Sequence, residues 1–309
     1  QSGIEGSSGI YVRGGGPDQN LILLDGTPVY NASHLFGFFS VFNADAIKNI
    51  ELVKGGFPAR YGGRLSSVMD IKLKEGNMKE YKGEGTLGLI SSKLTLEGPV
   101  IKDKSSFIIS ARRTYIDILA RPLIRMSTSG SGKNDVGYFF YVLNAKVNYK
   151  FSNRHRLYLS AYTGRDKFYF RSEPNDYLMD GTTYYEKMSA DMFWGNITST
   201  LRWNHQFNEK LFGNLTATYS QYQFNIEDAI TEKQTTDSTE STQSFYLGYL
   251  SGINDWTGKV DFDFLPNPNH YIKFGASAIY HTFKPGATAF EFNSNSTQNF
   301  DTTFGNQNI

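Results

Sequence analysis

No cysteine occurs among the 309 residues, so neither a disulfide framework nor a cysteine-ligated metal site can form. Proline is scarce, at 9 residues against 30 glycines. No uninterrupted apolar run approaches the roughly 18 residues that a membrane-crossing helix needs. Charge of one sign is also missing: the net charge of +1 directs nothing toward nucleic acid or another polyanion. No leader peptide is visible, residue 1 is Gln, and "QSGIEGSSGIYVRGG" reads as the middle of a domain, so a fragment is expected. A mean hydropathy of −0.42 resembles that of a soluble chain. That measure is blind to membrane β-barrels, because every second residue of each strand faces a polar interior.

Aromatic residues are abundant, at 15% of the chain. From about residue 82 onward they sit in long segments of strict alternation. In Asn196–Phe207, Ile197, Leu201, Trp203 and Phe207 share one face, while Asn196, Thr198, Thr200, Arg202, Asn204 and Gln206 share the other. Arg156–Gly164, Leu143–Phe151 and Tyr271–Tyr280 alternate in the same way. A period of two over such lengths specifies strand rather than helix. The connections "IKDKS", "SNRH", "NEK" and "PNPNH" are short and turn-like. Between them lie long polar stretches near 116–137, 169–190, 226–246 and from 285 onward, which are expected to be external loops. Short and long connections in alternation are the layout of an outer-membrane barrel. Tyr149, Phe151, Phe207, Phe212 and Tyr271 cluster beside the short turns, as a girdle at the membrane interface would. A soluble sandwich is the alternative, although its strands are usually about 5–6 residues long.

This pattern predicts roughly nine strands, near 82–90, 92–98, 105–115, 138–151, 155–168, 191–207, 210–225, 247–265 and 270–284. An odd number does not close a bacterial single-chain barrel. Open edges are therefore expected near Lys82–Ile90 and Tyr271–Lys284.

Residues 1–77 differ. Short apolar runs, "NLILLDG" and "IELV", lie close to glycines, and "FNADAIKNI" reads as a brief helix with Asn43 as its N-cap. "ELVKGGFPARYGG" crowds glycine and positive charge together, but it lacks the Gly-Lys-Ser/Thr of a phosphate-binding loop.

"IYVRGGGPDQNLILLDGTPVYN" followed by "IKNIELVKGGFPARYGGRLSSVMDIKLKEGN" resembles the second half of the plug domain of TonB-dependent outer-membrane transporters. "LEGPVIKDKSSFIISARRTY" is similar to early barrel strands of Bacteroidetes-type members, outside the SusC-like branch. The resemblance implies a fold: an antiparallel all-β transmembrane barrel, with roughly nine of about 22 strands present, and a small α/β plug in its lumen. Residues 1–77 would be the later part of the plug and residues 78–309 the first part of the barrel. It also implies that Arg13, Lys54, Arg60 and Arg64 latch the plug to carboxylates of the barrel, with Glu84 and Glu97 the candidates for Arg13. Where the family often has Arg, this chain has Lys54, a point charge rather than a fork. Gly16, Pro17, Asp18 and Gln19, together with Asn31, Ser33, His34 and Phe36, would face substrate from two plug loops.

The implied location is the outer membrane of a Gram-negative cell. The implied partners are outer-membrane lipid, an unidentified substrate, a TonB-ExbB-ExbD-type energising complex whose contact segment lies elsewhere, and a lipoprotein or other envelope protein. Nucleic acid is not among them. The implied function is TonB-dependent uptake with the plug as gate. The alternative is a surface receptor or structural component of an envelope assembly that reuses the barrel without transport. No catalytic motif, metal-ligand spacing or cofactor signature appears, so no enzyme is expected. The histidines are scattered, and the Tyr and Asn residues of the outer stretches suit carbohydrate or peptide equally.

Overall fold

The structure is a computed structural model that describes residues 11–34, 37, 39–127, 134–172, 175–295 and 300–305. Its N-terminal unit holds β1 (Asn20–Leu24), β2 (Thr27–Pro28), β3 (Ser33–His34), β4 (Phe39–Ser40), β5 (Ile47–Val53) and β6 (Ser67–Leu73). Strands β2, β1, β6 and β5 form one sheet in that order, with β1 parallel to β6. β3 and β4 form a separate two-stranded ribbon. Asp25 and Gly26 turn β1 into β2 with φ of 50° and 90°. Two successive positive φ values suit the right-handed twist of a two-residue hairpin, which is why Asp-Gly stands there. The helix expected in "FNADAIKNI" shrinks to a single 3₁₀ turn, Ala44–Ala46. Asn43 caps it by accepting from the Asp45 amide at 3.3 Å. The β-branched Ile47 and Ile50 then continue as β5 rather than helix.

The second unit is one antiparallel sheet. Its strands are β7 (Lys82–Leu87), β8 (Ser91–Ile101), β9 (Ser105–Thr114), β10 (Asp135–Lys150), β11 (His155–Arg171), β12 (Asn175–Met179), β13 (Thr182–Gln206), β14 (Leu211–Thr235), β15 (Glu240–Asn267), β16 (His270–Ser294) and β17 (Phe300–Phe304). Each pairs with the next, except that β11 passes over β12 to pair with β13. All nine expected barrel strands are present, and β12 and β17 are added to them. Three of the stretches read as outer loops are largely strand, because β13, β14, β15 and β16 run far beyond any membrane-spanning length. The stretch after Tyr115 contains a helix, α1 (Ile116–Ser127), which the sequence reading missed. Among the described residues β7 is one edge, as expected. The other is β17, which covers only Thr288–Phe292 of β16 and leaves the rest of that strand unpaired on one side.

The two faces of this sheet differ as the alternation requires. Thr198 and Thr200 are buried and Arg202 is turned toward the N-terminal unit, whereas Ile197 and Leu201 are 47% and 44% exposed on the opposite face. Trp203 shares that outer face and stacks on His205, with ring centroids 5.2 Å apart. The girdle needs two corrections. Phe212 and Tyr271 carry inward parity, opposite to Gly213 and Ile272, and the outer positions beside them belong to Phe262 and Phe274, stacked at 5.1 Å. The apolar core lies between the two units. Leu24, Val29, Val41, Ile71 and Leu73 of the first pack with Phe140, Val142 and Tyr162 from the inner face of the second.

Candidate functional site

The seam between the small unit and the wall is where the chain concentrates buried polarity. At its lower level stands Asp25. Its Oδ1 accepts from the Leu73 amide at 3.2 Å, and Lys146 Nζ lies 3.1 Å from each carboxylate oxygen. Its carbonyl accepts from Arg202 Nη2 at 2.7 Å. Both partners come from the polar parity of strands β10 and β13, close to the short turns. Glu75 pairs with Arg156 at 3.0 Å, and Asp45 with Lys93 at 2.8 Å. Thr27 and Thr200 share a hydrogen bond of 2.5 Å. The charges of this level run opposite to the expectation: small-unit carboxylates meet wall cations.

The upper level is carried by Tyr30–His34. The Tyr30 amide donates to Asn196 Oδ1 at 3.1 Å, and Asn196 Nδ2 donates to the Asn31 carbonyl at 2.8 Å. The Tyr30 hydroxyl donates to the buried carboxylate of Asp255, which His281 also meets at 2.6 Å. Burial, and then the Asp255 carboxylate, raise the Tyr30 phenol well above its usual range. His34 Nδ1 is 2.6 Å from Asp166 Oδ2, with side chains 1% and 2% exposed. Its ring stacks on Phe140 at 3.9 Å, and the Tyr138 hydroxyl donates to Asp166 as well.

The residues picked from the sequence fall unevenly. Arg13 is exposed, with φ of 51°, and among the described residues it makes no ion pair. Its Nη1 lies 2.7 Å from where a Cβ on Gly55 would sit. Glu84 and Glu97 likewise have no ion-pair partner among the described residues. Lys54 is exposed and unpaired there too. Arg60 lies 3.7 Å from Asp261 on the wall, and its carbonyl accepts from Lys259 at 3.2 Å. Arg64 donates to the Gly63 carbonyl at 2.8 Å. Beside them Tyr61 reaches Asp70 at 3.3 Å, and burial, followed by that carboxylate, raises its phenol.

Pro17 and Asp18 are exposed, and Gly16 and Gln19 half-buried, at the start of β1. That end is opposite to Asp25 and the short turns. Ser33 donates to Asn31 Oδ1 from its amide at 3.3 Å and from its hydroxyl at 3.2 Å, so the two shape one small turn. His34 is buried in the seam rather than displayed. Phe36 lies outside the described residues. The sequence reading missed Asp25, Glu75, Asp45, Lys146, Asp166 and Asp255. Parity would have turned Lys146 inward, and Asp25 stood in the quoted Leu-x-Asp-Gly-x-Pro, but nothing in the order of residues joins the two.

A small α/β unit whose core is completed by the polar face of a sheet, itself apolar on its other face, defines a plugged outer-membrane barrel. Residues 1–67 match the family model described as the TonB-dependent Receptor Plug Domain. Residues 1–67 are thus a plug domain of the kind found in TonB-dependent receptors. A search of curated proteins finds no match.

Among solved structures, the siderophore receptor PirA from Acinetobacter baumannii is 13% identical, with a TM-score of 0.36 over 94% of this chain and 68% of that one. PiuA, a siderophore receptor from the same organism, is 12% identical, with a TM-score of 0.40 over 94% of this chain and 58% of that one. The ferric yersiniabactin uptake receptor FyuA from Yersinia pestis is 13% identical, with a TM-score of 0.40 over 94% and 57%. The chain thus spans 57% to 68% of the length of these three. Likeness of this degree says nothing about ligand, and the assignment rests on the plug.

Proposed function

We propose that the chain gates active uptake across the outer membrane, with residues 1–77 as the movable plug and residues 78–309 as wall. The observation that carries this reading is the two-level seam, in which hydrogen bonds and ion pairs flank a small shared apolar core. A plug held by hydrogen bonds and ion pairs exchanges them for water when it moves, whereas an apolar seam would have to expose surface. In this reading a TonB-ExbB-ExbD-type complex supplies the pull. Substrate meets Gly16, Pro17, Asp18, Gln19, Asn31 and Ser33 from outside, and Phe36 belongs to the same loop. His34 sits one step below and couples that loop to Asp166. Arg13, Lys54, Arg60 and Arg64 form the latch in this reading, and Arg60 meets Asp261 of β15 with the expected sign.

The test uses the absence of cysteine. Thr27→Cys with Thr200→Cys places two thiols at side chains already in contact, in a stretch of chain that has none of its own. Oxidation should stop energy-dependent uptake by cells carrying the full receptor, and reductant should restore it. Uptake that continues unchanged through the oxidised pair would overturn the gate.

A further inference from the structure

The outer face of the wall carries a feature that gating does not use. Across β8, β9, β10, β11, β13 and β14, one register row reads Ser92, Arg113, Tyr141, Arg165, Gly195 and Gln223. The rows below it toward the short turns are apolar and exposed: Leu143, Leu159, Ile197 and Leu201 lie between 41% and 47% exposed. Arg165 stands ten residues along β11 from His155, and a tilted strand crosses a bilayer in about 9–11 residues. The row therefore marks the upper border of the lipid-facing band.

At this border lies a cavity of about 110 Å³ lined by Tyr141, Thr163, Arg165, Phe193, Ile197 and Gln223, among others. Gly195 contributes no side chain to its floor, and a Cβ there would stand 2.4 Å from the Gly164 carbonyl oxygen. The Arg165 guanidinium lies 3.9 Å over the Phe193 ring. Among the described residues its N–H groups meet no acceptor and no carboxylate. Arg113 lies 4.8 Å over Phe139, and Lys167 stands one row higher, 3.4 Å from Asp191. Arg113 is also 3.5 Å from Asp117, so of these cations Arg165 alone lies flat on a ring with donors that no carboxylate meets; above an apolar notch, it suits a ligand with an anionic head and a hydrocarbon tail.

We propose that this notch binds a phosphorylated glycolipid of the outer leaflet. A phosphate takes the two-pronged edge of Arg165, flanked by the ion pairs Arg113–Asp117 and Lys167–Asp191. The first methylenes of an acyl chain lie along Ile197 and Leu143. The glycine floor lets the head approach the backbone, and the amide of Gln223 closes the notch on the β14 side. A single arginine at a lipid border could simply be reaching for water. That alternative leaves the row, the cavity and the vacant guanidinium edge without a common cause.

Retention of lipid by the full receptor tests the site. The receptor is incorporated in phosphatidylcholine nanodiscs doped with bis-phosphorylated lipid A, or with its phosphate-free counterpart. Retained glycolipid is then measured by mass spectrometry after detergent exchange. The wild type should retain the phosphorylated form about five-fold more than the phosphate-free form, and Arg165→Gln should fall to the lower level. Arg165→Lys, which keeps the charge and loses the fork, should lie between them. Equal retention of both forms by the wild type would overturn the proposal even if Arg165→Gln fails to assemble. Displacement of lipid A by millimolar inorganic phosphate would also overturn it, because the site would then hold a free anion rather than a lipid.

Discussion

Asp25 divides its polar atoms between two wall strands. Its carboxylate faces Lys146 of β10, its carbonyl faces Arg202 of β13, and its backbone adopts the positive φ that only a few residue types tolerate. Asp25→Asn keeps the turn and leaves a buried ammonium without its counter-charge, a loss of about 3–5 kcal/mol in plug docking. Hydrogen exchange at the β1 amides should rise accordingly. Adding Lys146→Met should restore most of the protection, because no orphaned charge remains. If the double variant is as loose as the single one, the ion pair is not what holds the turn.

Tyr30 makes a second prediction at this scale. Burial, then Asp255, keep its phenol protonated above the usual pKa of about 10. The docked plug therefore holds this proton more tightly than the free one. The contribution to docking is complete below pH about 10 and fades as the pH climbs beyond it. Ultraviolet titration to pH about 11 should count the same number of ionising phenols in the wild type and in Tyr30→Phe. One phenol fewer in the variant would show that Tyr30 titrates normally. Neither residue could be assigned a partner from sequence. Asp25 and Lys146 are 121 positions apart, and the sign of the seam was taken from resemblance rather than from these side chains. Inward parity was legible, but which plug atom meets which wall atom depends on how the plug is seated.

Strands were legible wherever one face met lipid and the other the plug, since that contrast imposes the period of two. The same strands became illegible above the membrane. Thr182–Ser189 and Glu227–Thr235 carry polar residues on both faces, with Met188, Ala229 and Ile230 too few to set a period of two, so the pattern reads as loop. The hairpin β12–β13 had one surviving local signal, Asp180-Gly181, with the same pair of positive φ values as Asp25-Gly26. The helix α1 was hidden by Pro122 within it.

A prediction at this scale separates glycines that shape an element from those that do not. Gly26→Ala, at φ of 90° and 3.1 Å from Arg202 Nη2, should cost about 1–2 kcal/mol. Gly62→Ala, with nothing within 4 Å, should be nearly neutral. Urea midpoints of plug release for the two variants would read the difference, and equal midpoints would refute it. Gly55, at φ of 74° beside the Arg13 guanidinium, explains part of the crowding in "ELVKGGFPARYGG". The turn needs a backbone that bends the other way and a surface flat enough for an arginine to lie on.

For the whole molecule, the wall depends on the plug less than the plug depends on the wall. Neighbouring wall strands are joined by continuous ladders, whereas the plug shares its apolar core with Phe140, Val142 and Tyr162. A full receptor lacking residues 1–77 should still reach the outer membrane and migrate as a heat-modifiable barrel. It should also admit solutes that the intact receptor excludes. Sensitivity of whole cells to a large antibiotic would measure this, and unchanged sensitivity in an assembled, plug-less receptor would mean that other residues fill the lumen.

The length of β13, β14 and β15 has a further consequence for what the cell presents outward. A strand of 25 residues is about 85 Å long at about 3.4 Å per residue. At a typical tilt it rises about 60 Å, while the apolar band needs only about 25 Å. The remaining height makes a rigid parapet above the lipid, hydrogen-bonded along its length, rather than a fringe of loose loops. Anything large that approaches the cell, such as an antibody or a phage tail, meets the rim of this parapet first. Where further strands close the wall at this height, small solutes would meet a shaft with the plug at its floor, and exclusion by size would precede selection by chemistry.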